Sequence, residues 1–268
     1  MLIAALLGAS GASAATSITT TAYGLSGTLG VGVAPVASVS GSTAPGYSLS
    51  GAAASHASLI SLGTTGMTSL SLALNSGAIA TSASANGSTP ADTSSGAAAS
   101  MLNTVALALF TTTLGVNSDV LRISADEVQA TTNVARVGAA SSLTGSSQFT
   151  NLSISLAGVP LLTLPGSQSV AANLVVLNAD GLSITLNEQV RTGTLGSVER
   201  LITSAIAVRF TNYVAGGQTL NGQVTLGRAQ GDLLIDDVPV PEPVAWLQML
   251  AGLALIGSLQ RRHVARAD

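Results

Sequence analysis

The sequence predicts an all-β body of antiparallel strands packed as a sandwich of two sheets, followed by one short apolar C-terminal helix. Three observations predict it. Apolar and polar residues alternate with a period of two over several stretches, which sends one set of side chains inward and the other outward. Turn dipeptides, Asp180-Gly181 and Gly216-Gly217, separate alternating runs. The apolar content is also built of small side chains: 47% of the 268 residues are hydrophobic but only 3% are aromatic. A core of Ala, Val and Leu packs thin layers, which suits closely spaced sheets better than a thick helical bundle. No repeat of fixed period stands out, so a β-solenoid is the second choice.

Along the chain, Leu2 to Leu7 form a continuous apolar run, followed by small residues ending in Ala12-Ser13-Ala14. That order fits a secretory signal peptide over residues 1–14, with Ala12 and Ala14 at the cleavage site. An apolar first strand is the competing reading. No Lys or Arg precedes Leu2, so the expectation is a start farther upstream or a trimmed chain. The body occupies residues 15–231. Within it Leu70, Leu72 and Leu74 alternate with Ser69, Ser71 and Ala73. Ser82 to Ser100 is rich in Ala, Ser, Gly and Thr and reads as a long loop or a weak strand pair. Leu182, Ile184, Leu186 and Val190 alternate with Ser183, Thr185, Asn187 and Gln189. Ile202, Ile206, Val208 and Phe210 alternate with Thr203, Ala205, Ala207 and Arg209. The short connections favour antiparallel neighbours. Residues 232–240 read as a linker, and 241–268 as a separate tail.

Charge narrows the function classes. Charged residues make up 8% of the chain, against roughly 25% in an ordinary soluble domain. All nine basic residues are Arg, no charge precedes Asp92, and the net charge is -3. There is no basic footprint for nucleic acid. High hydrophobicity with low charge is also the reverse of a disordered chain. With no Cys, disulfides and thiol chemistry are absent.

Catalytic chemistry finds few residues. A Ser-His-Asp triad would have to use His56, with no nucleophile elbow in the sequence; His263 lies in the tail. One His and no Cys in the body fall short of a zinc site, and no phosphate-binding glycine motif occurs. The body carboxylates Asp126, Glu127, Asp180, Glu188 and Glu199 could form a glycosidase pair, but solvated turn or strand-edge positions explain them better. Glu188 shares the parity of Leu182, Ile184 and Leu186. Facing inward it would need Arg191, Arg200 or Arg209 as partner. Asp232, Asp236 and Asp237 lack calcium-loop spacing and read as solvated linker. No catalytic, cofactor-binding or metal residue is assigned, and the expectation is a protein that is not an enzyme and uses no cofactor.

The tail is the most specific part. Pro241-Glu242-Pro243 precede a 16-residue apolar segment, Val244 to Leu259, and then Arg261, Arg262 and Arg266. As a helix that segment spans about 24 Å, slightly short of a ~30 Å hydrocarbon core, and the Arg cluster would stay cytoplasmic. Together with the Val238 to Pro243 run and Trp246, this order resembles the PEP-CTERM sorting signal. The resemblance implies removal of the tail near the motif by a membrane protease, exosortase. The protein would then pass from the inner membrane to the cell surface or the exopolysaccharide matrix.

The body resembles the choice-of-anchor P family in short stretches. They are Thr21 to Leu25, Ala125 to Ala130, Val176 to Asn178, Ile184 to Gln189, Ser204 to Val208 and Gly222 to Gln230. That resemblance implies an exported, anchored, β-rich protein and no transferable activity. Two functions follow as expectations: a non-enzymatic surface or matrix protein with exosortase as processing partner, or a secreted protein that binds or modifies exopolysaccharide.

Overall fold

The computed structural model describes residues 15–29, 33–42, 46–87, 93–137, 140–193 and 198–236. They are all-β, in two open antiparallel sheets arranged like a sandwich. One sheet has seven strands. It runs β12 (Leu174–Ala179), β13 (Leu182–Thr192), β14 (Val198–Ala215), β15 (Gln218–Asp236), β1 (Ala15–Gly27) and β2 (Val33–Val36), with β3 (Val39–Ser42) also on β1. The other has eight, in the order β11 (Val159–Ser169), β10 (Ala140–Leu156), β9 (Val116–Val137), β8 (Thr93–Thr113), β6 (Thr68–Ser76) and β5 (His56–Thr65). There β7 (Ile79–Gly87) also pairs with β8, and β4 (Tyr47–Ala53) pairs with β7. A solenoid would stack parallel strands; these are antiparallel.

Tight turns set the topology. Asp180-Gly181 and Gly216-Gly217 close hairpins with both central residues at positive φ, the geometry that matches strand twist. Leu114-Gly115 and Ala157-Gly158 do the same, although neither dipeptide carries Asn or Asp. With Gly66-Met67, these turns lie toward one end of the sandwich. Gln218 there donates to Thr65 Oγ1 across the two sheets.

The strands do not keep one parity. In β9, Leu121, Ile123 and Ala125 are buried, then Val128, Ala130, Thr132 and Val134. The inward set changes from odd to even at Asp126–Glu127. Beside it, β8 changes at Thr104 and β10 at Asn151, both at positive φ. In the opposite sheet β13 changes at Asn187 and β15 at Gly227, again at positive φ, and β14 changes between Thr203 and Ile206. A one-residue slip in a single strand would break its ladder. Here neighbours reverse together, so the β8–β9, β9–β10, β13–β14 and β14–β15 ladders continue across the row without a shift there. The two rows face each other: a Cβ on Gly227 would lie 3.3 Å from Ala205 Cβ and Leu102 Cδ1.

This row divides the core. On the hairpin side the buried residues are large: Leu70, Leu72, Leu74, Leu107, Leu109, Ile123, Ile184, Val208 and Phe210. On the other side small or polar residues, among them Ala98, Ser100, Thr132, Ser147, Asn187 and Thr203, separate Phe149 from a second, smaller apolar cluster of Ile18, Val134, Leu143, Leu201 and Leu233. Glycines there let the sheets approach. A Cβ on Gly145 would fall 2.2 Å from Thr203 Oγ1, and one on Gly231 2.2 Å from Val134 Cγ2.

Of the two readings of the Ser82 to Ser100 stretch, the strand pair holds: Ile79–Gly87 of β7 pairs with Ser94–Leu102 of β8, and the pair buries Ala83, Ala85 and Ala98. Other expectations change. Val190 and Ile202 lie beyond the reversal, so they leave the inward set and Thr203 takes a buried place. The linker does not begin at Asp232: β15 continues to Asp236, and Asp232 is opposite Arg200 in the ladder. The apolar segment Val244 to Leu259 lies outside the described residues.

Candidate functional site

The sequence-predicted sorting residues Pro241, Glu242, Pro243, Arg261, Arg262 and Arg266, and the cleavage residues Ala12 and Ala14, lie outside the described residues. The body offers an interior polar seam, a polar ribbon on the outer face of the seven-stranded sheet, and a groove on the eight-stranded sheet.

The interior seam joins the two sheets. Thr132 Oγ1 lies 2.8 Å from Thr203 Oγ1 and 3.0 Å from the Ala229 carbonyl oxygen. Ser147 donates to Asn187 Oδ1 at 3.1 Å, and Gln189 Nε2 donates to the Gly145 carbonyl at 2.7 Å. Asn187 Nδ2 donates in turn to the Val170 carbonyl at 2.9 Å. At the rim, Glu199 Oε2 accepts from Ser141 at 2.9 Å and from Arg191 at 3.1 Å. The positive φ at Asn187 turns its amide inward, where these partners satisfy it. Buried polar groups persist when they are hydrogen-bonded in this way.

The ribbon crosses three strands. Arg200 grips Asp232 with two bonds, Nε to Oδ1 at 2.8 Å and Nη2 to Oδ2 at 3.0 Å. Gln230 Nε2 donates to the same carboxylate, and Arg228 donates to Gln230 Oε1 at 3.1 Å. Arg228 also donates to the Tyr23 hydroxyl at 2.9 Å, its guanidinium 5.4 Å from the ring centroid. On the same face Arg209 holds Glu188 at 2.6 Å. The hydrogen bond to Asp232 raises Arg200 above its ordinary pKa; charge attraction adds to the rise and slight burial opposes it. The hydrogen bond to Glu188 raises Arg209 likewise, against its burial. Both Arg side chains stay about 40% exposed, so each pair is worth only roughly 0.2–1 kcal/mol. Their exposed edges can still donate to a carboxylate or sugar hydroxyl.

The groove, of about 480 Å³, lies over β4, β7, β8 and β9 and is lined by Ser50, Ala52, Ser82, Met101 and Gln129 among others. It carries no aromatic platform and no carboxylate.

The other candidates fall apart in space or are already engaged. Glu188 pairs with Arg209, one of its three expected partners. It does so on the outer face, because the reversal at Asn187 turns it away from the core. Glu199, expected to be solvated, is instead buried. Asp126 accepts from Asn151 Nδ2 at 2.6 Å, and Asn151 Oδ1 accepts from the Gly166 amide at 2.8 Å. These bonds hold the reversal row in β9, β10 and β11. His56 faces inward opposite Ser76, its Nε2 buried without a hydrogen-bond partner. Among the described residues no three His, Cys, Asp or Glu side chains come together to hold a metal. Sequence reading missed the ribbon, although Arg228, Gln230 and Asp232 at spacing two on one strand were its visible signal.

With this geometry in hand, comparison with known proteins adds no relative: no family model, no curated protein and no solved structure matches the chain.

Proposed function

We propose that the chain is an exported protein, sorted through its C-terminal segment to the cell surface or extracellular matrix, where the β body has a non-enzymatic structural or binding role. The order of features in the tail carries this reading: Pro241-Glu242-Pro243, then Val244 to Leu259, then Arg261, Arg262 and Arg266. The Leu2 to Ala14 segment supplies the export half. The β strands described end at Asp236, and both segments lie outside the described residues. On this reading the chain is a PEP-CTERM substrate of an exosortase, with a body of the choice-of-anchor P kind.

Glu242 is the only charged residue between Asp237 and Arg261, so a protease reading the motif would depend on it. Glu242→Ala leaves the apolar segment intact and able to halt in the membrane. In an exosortase-bearing host, membrane fractionation should find this variant at full length in the inner membrane and the wild type at the surface or in the medium. Equal release of both would overturn the reading.

The ribbon favours a second reading, binding of an acidic exopolysaccharide. Arg forks match carboxylates in two-pronged geometry; Arg200 and Arg209 already hold Asp232 and Glu188, whereas Arg228 on the same face meets the neutral Tyr23 and Gln230. Retention on a uronate polymer should fall when Arg228 is changed to Gln. No retention of the wild type would remove this reading.

A further inference from the structure

We propose that the body pairs with a second copy of itself through β5, joining two eight-stranded sheets edge to edge about a two-fold axis. A sheet edge presents unpaired backbone N–H and C=O groups that another strand edge satisfies, and proteins usually blunt such edges with charge, Pro, bulges or a short strand. The two edges of this sheet are treated differently. At one edge β11 carries Pro160, Pro165 and two register shifts against β10. Nearby, β12, the edge of the other sheet, has six residues and a register shift of its own. The opposite edge is shared by β4 and β5; β5 has ten residues, no charge and no Pro, and its His56 to Ser61 stretch pairs with β6 in unbroken register before one shift between Ser61 and Gly63. Among the described residues β5 pairs with β6 alone. Its outward side chains are Ala57, Leu59 and Ser61, and Leu59 is 70% exposed.

The complement of such an edge is a second β5. Antiparallel self-pairing sets no like charges opposite one another, covers Leu59, and matches the twist of one sheet with an identical one. A strand without charge offers nothing to steer a charged foreign partner. Because β11 is blunted, the same surface meets itself and the assembly closes as a dimer instead of growing as a fibre.

The chain has no Cys, so single cysteines report contacts cleanly in the full-length protein. With the axis near Leu59, Ala57→Cys, Leu59→Cys and Ser61→Cys, treated with a thiol-to-thiol cross-linker reaching about 15 Å, enough for the four-residue offset of the outer two at ~3.4 Å per residue, should run as dimers on a denaturing gel. Met67→Cys on a hairpin tip (77% exposed) and Val159→Cys on β11 should remain monomers. Adding Leu59→Lys to Ala57→Cys should abolish its cross-link. The proposal is overturned if β5 cysteines cross-link no better than Met67→Cys, if the Lys variant still cross-links, or if Val159→Cys yields a ladder of higher species.

Discussion

The two halves of the sandwich interior are built on different physics, although the same strands run through both. On the hairpin side, Leu, Ile, Val and Phe fill the gap, and each fully buried side chain contributes roughly 1.5–3 kcal/mol. Beyond the reversal row, the gap narrows over Gly145 and Gly231, and direct bonds such as Thr132–Thr203 and Ser147–Asn187 join the sheets. The first half needs bulk of about the right size. The second needs particular groups at particular distances, because an orphaned buried polar atom costs about 1–3 kcal/mol. The difference teaches how a chain this poor in aromatics and charge can still specify one register: polar bonds across the thin half fix it, and apolar bulk in the thick half stabilises it.

Three substitutions can break or sharpen that contrast. The largest effect should come from Leu107→Ala on the bulky side, which opens a cavity among fully buried neighbours and should cost about 2–5 kcal/mol in chemical denaturation. A loss near zero would mean that this half is not close-packed. Next is Gly145→Ala on the thin side. It adds a single methyl where Thr203 Oγ1 and Gln189 stand, and overpacking of this kind costs about 1–3 kcal/mol. A neutral or stabilising result would show that the sheets can part there freely.

The smallest effect is a pH response on the hairpin side. Burial raises the Tyr213 phenol above its ordinary value of about 10, and nearby Asp180 adds to the rise. The folded protein therefore holds the neutral phenol longer than the unfolded chain does. That contribution is fully present below about pH 10 and is lost as pH climbs through the folded value. Melting curves should show wild-type stability falling above pH 10 and a flatter fall in Tyr213→Phe. Identical slopes would mean the phenol is as free in the folded protein as in the unfolded chain.

What the sequence disclosed follows from which features leave a periodic mark. The hairpins at Asp180-Gly181 and Gly216-Gly217 were legible because those residues adopt left-handed backbone at little cost. Leu114-Gly115 and Ala157-Gly158 were not, since Leu and Ala seldom sit there. The alternation of Leu182, Ile184 and Leu186 was legible, as was the set of Arg partners open to Glu188. The face Glu188 occupies was hidden, because a single reversal at Asn187 leaves no trace in a period-two pattern. Asp232 was hidden for a different reason. Its role rests on Arg200, 32 residues earlier, and only the ladder brings the two together. The tail motif is local in sequence, so it could be read whole.

The measurement that tests the central proposal most directly is the intact mass of wild-type protein recovered from the surface or medium of an exosortase-bearing host. Fragment mapping of its C-terminus should accompany the mass. The proposal predicts a chain that keeps β15 through Asp236 and ends before Trp246, lacking the apolar segment and the Arg cluster. A mature chain that still carries Trp246 and Arg261 would make the tail a permanent anchor and contradict it.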